Sequence, residues 1–169
     1  MQRVLVIGSG GSGKSTLAAR IAARTGLPLI HLDQLYWRSG WVATPANEWT
    51  RNVQELAARA SWVMDGNYGG TLDLRLAACD MVVFLDVPRL RCLWRVLWRW
   101  MRHRGRSRPD MAPGCTERLD MEFVRWIWTY PQRRRPGVLA KVAAAGKPLA
   151  ILRSSADIDS FVASLRRAQ

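Results

Sequence analysis

Lysine is scarce in this chain. Lys14, Lys141 and Lys147 are the only three among 26 basic residues, so the rest are arginines. Arginine presents a planar fork of donors that matches phosphate and carboxylate, whereas lysine is a flexible point charge. Acids are scarce too: 13 against those 26 bases leave a net charge of +13 over 169 residues. Cysteine is limited to Cys79, Cys92 and Cys115, an odd number without metal-like spacing. That argues against a disulfide-stapled scaffold or a zinc site, and for free thiols in a reducing compartment. No apolar run approaches the roughly 20 residues that span a bilayer. MQRVLVIGSG runs straight into a glycine loop without a secretory leader, so the expectation is a cytoplasmic protein. Internal repeats and low-complexity tails are absent. Hydrophobic content of 49% with 23% charged residues suits one globular domain over 1–169.

What is present alternates between two periods. VLVIG (4–8), LPLIHL (27–32), WVMD (62–65), MVVFLDVP (81–88) and PLAILR (148–153) are short apolar runs and predict buried strands. Between them, Leu17, Ala18, Ile21 and Ala22 recur at helical spacing, as do Trp49, Val53, Leu56 and Ala57. Further helices are predicted over 90–102, 117–129 and 156–167. In the first of these, Leu90, Leu93, Trp94, Leu97, Trp98 and Met101 form an apolar stripe expected to cover the sheet, while Arg91, Arg95 and Arg99 share another face. Strands alternating with helices imply an α/β fold, a parallel sheet covered on both sides. One compositional break, HRGRSRPDMAPGCT at 103–116, reads as an insert.

Residues 8–15, GSGGSGKS, match G-x-x-x-x-G-K-S/T between a predicted strand and a predicted helix. That context marks a phosphate-binding loop. Its glycines let backbone N–H groups turn inward around a phosphate, and the helix N-terminus adds positive potential. Gly8, Ser9, Gly10, Gly11, Ser12, Gly13, Lys14, Ser15 and Thr16 are therefore the expected ATP site. Lys14 would reach the terminal phosphates and Ser15 would ligate Mg²⁺.

Ligands of parallel sheets lie beyond the strand C-termini, so the strand-end acids Asp33, Asp65 and Asp86 are candidates. Asp65, in WVMDGNY, is the expected outer-shell magnesium residue. Asp33, in IHLDQLYW, either orients an acceptor or caps the next helix. His31 reads as structural. Trp37 and Trp41 follow Asp33 and could wall a flat acceptor, whereas Trp126, Trp128 and Tyr130 read as core.

These motifs together resemble nucleoside-monophosphate-kinase-type P-loop proteins, and within them the small proteins labelled DNA topology modulation protein. HLDQLYW, WVMDGNY, VVFLDVPR, RPDMAPGC and FVRWIWTYP carry the resemblance alongside the loop. It implies a three-layer P-loop kinase fold with a five-stranded sheet ordered 2-3-1-4-5 and a small Arg-rich lid. Similarity to adenylate kinases implies a metal-side role for Asp65, monophosphate binding by Arg75, and catalytic roles for Arg95, Arg99 and Arg108. Arg118 and Arg125 compete for one further catalytic position. The monophosphate-binding Thr-Gly-Asp segment of those enzymes is replaced here by HLDQLYWRSGW, so the acceptor pocket differs.

Residues 89–135 hold thirteen arginines against four acids. Phosphoryl transfer relies on positioned cations, and a lid of arginines closing over nucleotide accounts for this concentration. The expected function is ATP-dependent, Mg²⁺-assisted transfer of a phosphoryl group to a small acceptor, a nucleotide or nucleoside. The alternative is a nucleic-acid-binding P-loop ATPase affecting DNA topology, which uses the same charges on phosphate backbones. A membrane-surface role for 90–102 is set aside, because the apolar stripe is assigned to the sheet.

Overall fold

A computed structural model describes residues 1–103, 111–116 and 118–167. Five strands form a parallel sheet: β1 (Arg3–Gly8), β2 (Leu29–His31), β5 (Trp62–Asp65), β6 (Met81–Leu85) and β7 (Leu149–Leu152). Their order is β2-β5-β1-β6-β7. Counting only these five, that is the expected 2-3-1-4-5. A second, antiparallel pair, β3 (Trp37–Arg38) and β4 (Val42–Ala43), forms a small hairpin beyond the C-terminal end of β2 that the sequence pattern did not announce.

The central strands are apolar on both sides because both sides are covered. Leu5, Met64 and Phe84 face one layer, where they meet Trp49 and Val53 of α3 (Ala46–Ala58) and Leu72 and Leu76 of α4 (Leu72–Ala78). Tyr130 of α6 (Met121–Arg133) and Val142 of α7 (Arg135–Ala144) complete that layer. Val4, Val6, Val63 and Val83 face the other layer, against Leu17, Ala18 and Ile21 of α1 (Lys14–Thr25) and residues of α8 (Ser155–Ser164). The alternation follows from the two-residue period of a strand. A short helix, α2 (Leu32–Tyr36), leads from β2 into the hairpin. The helix expected over 117–129 begins at Met121, because the Asp120 carboxylate accepts from the N–H groups of Glu122 and Phe123 and so caps it.

The helix α5 (Arg89–His103) corrects one expectation. Its apolar stripe does not cover the sheet. Leu90, Trp94, Leu97, Trp98 and Met101 are exposed, and the face turned inward carries Cys92 and Val96, 0% and 3% exposed. The cause is steric. α5 lies beside the glycine loop and α6, and a Cβ added at Gly11 would collide with the Cys92 carbonyl. Helix backbone and loop backbone touch there, so only small side chains fit between them. The bulky stripe is turned the other way, save Leu93, which packs half-buried on Cys92, Val96 and Ile127.

At the far end of β6, Asp86 accepts a two-pronged pair from Arg135 at 2.8 Å and 2.8 Å, with Arg153 at 3.4 Å. These hydrogen bonds, Arg135 first, hold the Asp86 carboxyl below its usual range. Asp86 thereby anchors β6 to Arg135 and Arg153. A carboxylate with a lowered folded pKa stabilises the fold above the unfolded value, about pH 4, and loses that contribution as pH falls through the folded value. Asp86→Asn should therefore lower the urea midpoint at neutral pH, and its difference from the unmodified chain should shrink below about pH 4. A pH-independent difference would contradict the assignment.

Candidate active site

The glycine loop joins β1 to α1, and its backbone conformations explain its composition. Gly8, Gly11 and Gly13 have φ of 149°, 72° and 98°, the left-handed region that glycine alone adopts without cost. Gly10 is constrained by packing instead. A Cβ there would lie 2.5 Å from the Phe123 ring of α6. The loop is therefore clasped from outside by Cys92 and Val96 of α5 and by Phe123 of α6. Its first N–H, from Gly8, donates to the Asn67 side chain at 3.2 Å.

Lys14 is the first residue of α1, and its Nζ donates to the Ser9 carbonyl at 2.9 Å. Burial lowers its pKa, against the pull of the nearby carboxylates of Asp33 and Asp65. The charge of Arg99 adds to the lowering. Arg95 reaches the loop itself, donating to the Ser12 carbonyl at 2.9 Å. Lys14 and Arg95 thus both bond the loop, and Asp33, Asp65 and Arg99 act electrostatically on Lys14.

Asp65 ends β5, beside Val6 of β1 and His31 of β2 in register. Its Oδ1 lies 2.6 Å from His31 Nδ1, and both side chains are largely buried. The histidine fixes the carboxylate's orientation, as the structural reading of His31 implies. Asp33 sits in the first turn of α2 and accepts from the Tyr68 hydroxyl at 2.5 Å. Burial first and then Asp33 keep that hydroxyl protonated far above its usual range. Asp33 is thereby tied to the loop after β5 through Tyr68. Tyr68 was not singled out in the sequence. Its signal is its place directly after the strand-end Asp-Gly-Asn, the loop that also supplies Asn67.

The surroundings of Arg75 differ from those its expected role requires. Arg75 is completely buried, and four of its five N–H donors are committed to backbone carbonyls: Gly66 at 2.7 Å, Asn67 at 2.6 Å, Tyr68 at 2.8 Å and Thr71 at 3.3 Å. Burial pushes its pKa down to about 10. It is a scaffold for the loop after β5 and is not presented to a monophosphate. Arg75→Met should cost about 3–5 kcal/mol of stability by leaving those carbonyls unpaired in the interior. Guanidinium unfolding reads this directly, and a loss under about 1 kcal/mol would refute the scaffold role. Arg125 is exposed, about half a turn from Phe123 and Ile127, the side of α6 that meets the loop and α5. It thus lies off the face of α6 that packs on the loop. Arg118 lies 5.2 Å over the Trp41 ring and 3.9 Å from Asp120, at the hairpin. Arg108 and half of the expected lid, 104–110, lie outside the described residues.

The return of that insert is described. Met111, Ala112 and Cys115 pack on Trp37 and Trp41, whose rings meet edge to face at 5.4 Å. Trp41 donates to the Thr116 carbonyl at 3.0 Å, and Cys115 to the Arg38 carbonyl at 3.3 Å. The hairpin and the described return of the insert, 111–116, pack together, which the linear sequence could not show. Trp37 also packs on Tyr36, which joins Trp49 and Tyr68 in an aromatic group next to Asp33.

No family model matches the chain, and no curated protein sequence matches it significantly. Solved structures do. A shikimate kinase from Bacteroides thetaiotaomicron is 19% identical with a TM-score of 0.57, covering 96% of this chain and 94% of its own. A sugar kinase from a Janibacter species is 18% identical with a TM-score of 0.54, covering 96% and 93%. A shikimate kinase from Acinetobacter baumannii, in complex with shikimate, is 16% identical with a TM-score of 0.61, covering 96% and 89%. At such identities the likeness establishes the P-loop kinase fold.

Proposed function

We propose that this chain transfers the γ-phosphoryl group of ATP to a hydroxyl of a small acceptor. The observation that carries the proposal is a glycine loop bonded by Lys14 and Arg95, with Asp33, Asp65 and Arg99 acting on the Lys14 charge. The loop suits a phosphate chain. Its left-handed glycines leave no Cβ in the cradle, and the buried Ser12 hydroxyl has no protein hydrogen-bond partner. Ser15 and Asp65 are the residues that would hold Mg²⁺, directly and through the outer shell. The metal would neutralise charge on the phosphate oxygens. Lys14 and Arg99 add cations on the same side, and Arg95 fixes the loop while reaching toward it.

The hydroxyl acceptor rests on two features. Arg75, the one arginine that the adenylate kinase resemblance assigns to a monophosphate, is consumed by backbone carbonyls. Asp33 instead offers a carboxylate within electrostatic reach of Lys14, held by Tyr68 and suited to take a proton from an attacking hydroxyl. The solved neighbours named for shikimate and sugars are consistent with that preference. A second reading, a nucleic-acid-stimulated ATPase, draws on the concentration of arginine in 89–135.

One assay panel tests both. ATP consumption is measured with shikimate, simple sugars, nucleosides and nucleoside monophosphates, and separately with duplex and single-stranded DNA. Turnover with a hydroxylated small molecule, abolished in Asp33→Asn, is the expected result. Turnover with monophosphates only would overturn the acceptor assignment, and stimulation by DNA alone would replace the kinase reading.

A further inference from the structure

We propose that the outward face of α5 docks on an anionic membrane surface and lies in the interface without crossing it. The reading is independent of which acceptor the active site uses. Leu90, Trp94, Leu97, Trp98 and Met101 recur at i, i+4, i+7, i+8 and i+11, which sets them in one stripe about 16 Å long. Leu90 is 68% exposed, Trp94 63% and Met101 57%. Isolated exposed apolar residues are ordinary, but a contiguous row containing two tryptophans is not. The opposite side of the helix is committed, through Cys92, Val96 and Arg95, to the glycine loop and α6. The stripe therefore cannot turn inward without dismantling the phosphate site.

Charge complementarity selects the occupant. α5 carries Arg89, Arg91, Arg95, Arg99 and Arg102 and no acid. Arg91 and Arg102 are exposed on one flank of the stripe, and the Arg102 guanidinium lies 5.1 Å over the Trp98 ring. Arg89 covers Trp128 of α6 in the same manner at 4.0 Å. Apolar centre, tryptophans and arginine edge are the composition of helices that lie at a bilayer interface. The tryptophans enter the headgroup boundary, and the arginine stems extend back to the phosphates. A second copy of this chain fits poorly, since opposed stripes would set arginine beside arginine with no acid on either helix. Nucleic acid would satisfy the arginines but leave Leu90, Leu97 and Met101 in water. At 15 residues α5 is short for a span, and no helix among the described residues is long and apolar enough to cross a membrane.

The test is co-sedimentation of the full chain with vesicles of phosphatidylcholine alone or enriched in phosphatidylglycerol, at low and high salt. Binding to the anionic vesicles only, weakened by salt, is expected. The double variant Trp94→Gln/Trp98→Gln should lower partitioning at least about tenfold, and Arg91→Gln/Arg102→Gln by a similar factor. Thermal unfolding checks that both variants remain folded. If the tryptophan pair fails that check, Leu97→Gln/Met101→Gln takes its place. Failure to bind anionic vesicles overturns the proposal, as does binding that both classes of variant retain. A concentration-dependent dimer lost with the tryptophans, without vesicle binding, would assign the face to a second copy. DNA binding lost with Arg91 and Arg102, again without vesicle binding, would assign it to nucleic acid.

Discussion

Replacing Lys14 by alanine is expected to lower ATP turnover by about 10³-fold or more, with the fold retained. Lys14 stands at the first position of α1, against the loop carbonyl of Ser9, where burial lowers its pKa and Asp33 and Asp65 oppose that shift. Such an ammonium gains most when phosphate oxygens replace the carbonyl as its partner. No other lysine can substitute. Lys141 is paired with Asp73 at 2.5 Å, and Lys147 donates to the Ala77 carbonyl at 3.3 Å. Single-turnover kinetics at saturating ATP would separate chemistry from binding, with circular dichroism as the folding control. Turnover unchanged in Lys14→Ala would sink the phosphotransferase proposal.

The arginines of α5 should matter nearly as much but in two distinguishable ways. Arg99→Ala is expected to lower the catalytic rate by about 10²–10⁴-fold with a smaller change in ATP affinity, because a cation aimed at transition-state charge contributes little to the ground state. Arg95→Ala should lower both. Its guanidinium is bonded to the Ser12 carbonyl, so its loss frees the loop as well as removing a charge. Arg95→Lys would keep the charge and lose the fork, and is expected to restore only part of the activity. If equal, additive losses of DNA binding across Arg91, Arg95 and Arg99 accompany intact ATP turnover, the arginines serve a nucleic-acid surface instead.

The phosphate loop was legible because its chemistry is local. Eight consecutive residues carry the glycines, the lysine and the hydroxyl, and each acts through its own backbone or its neighbour's. Asp65 was legible for the same kind of reason. An acid that follows an apolar run stands at a strand end, and strand ends of a parallel sheet face ligands. The surroundings of Arg75 do not allow the role that resemblance implies for it, because resemblance at a position transfers a residue type and not its surroundings. The carbonyls of Gly66, Asn67, Tyr68 and Thr71 converge only through the 3₁₀ turn of the chain at Gly69–Thr71, and they claim the guanidinium first.

Sequence alone therefore determined the alternation of strands and helices, the loop and its lysine, and the strand-end carboxylate, since each is encoded by spacing within a few residues. Tertiary structure alone decided which side of α5 is buried. An apolar stripe records that one face avoids water, but not what covers it. Here the backbone of Gly11 meets the backbone of Cys92 so closely that only the small face of the helix fits, and the tryptophans are left outside. Tertiary structure also joined the hairpin at Trp37 and Trp41 to Met111, Ala112 and Cys115, residues about 70 positions away. Contacts of that separation depend on the path of the whole chain, and no local period carries them.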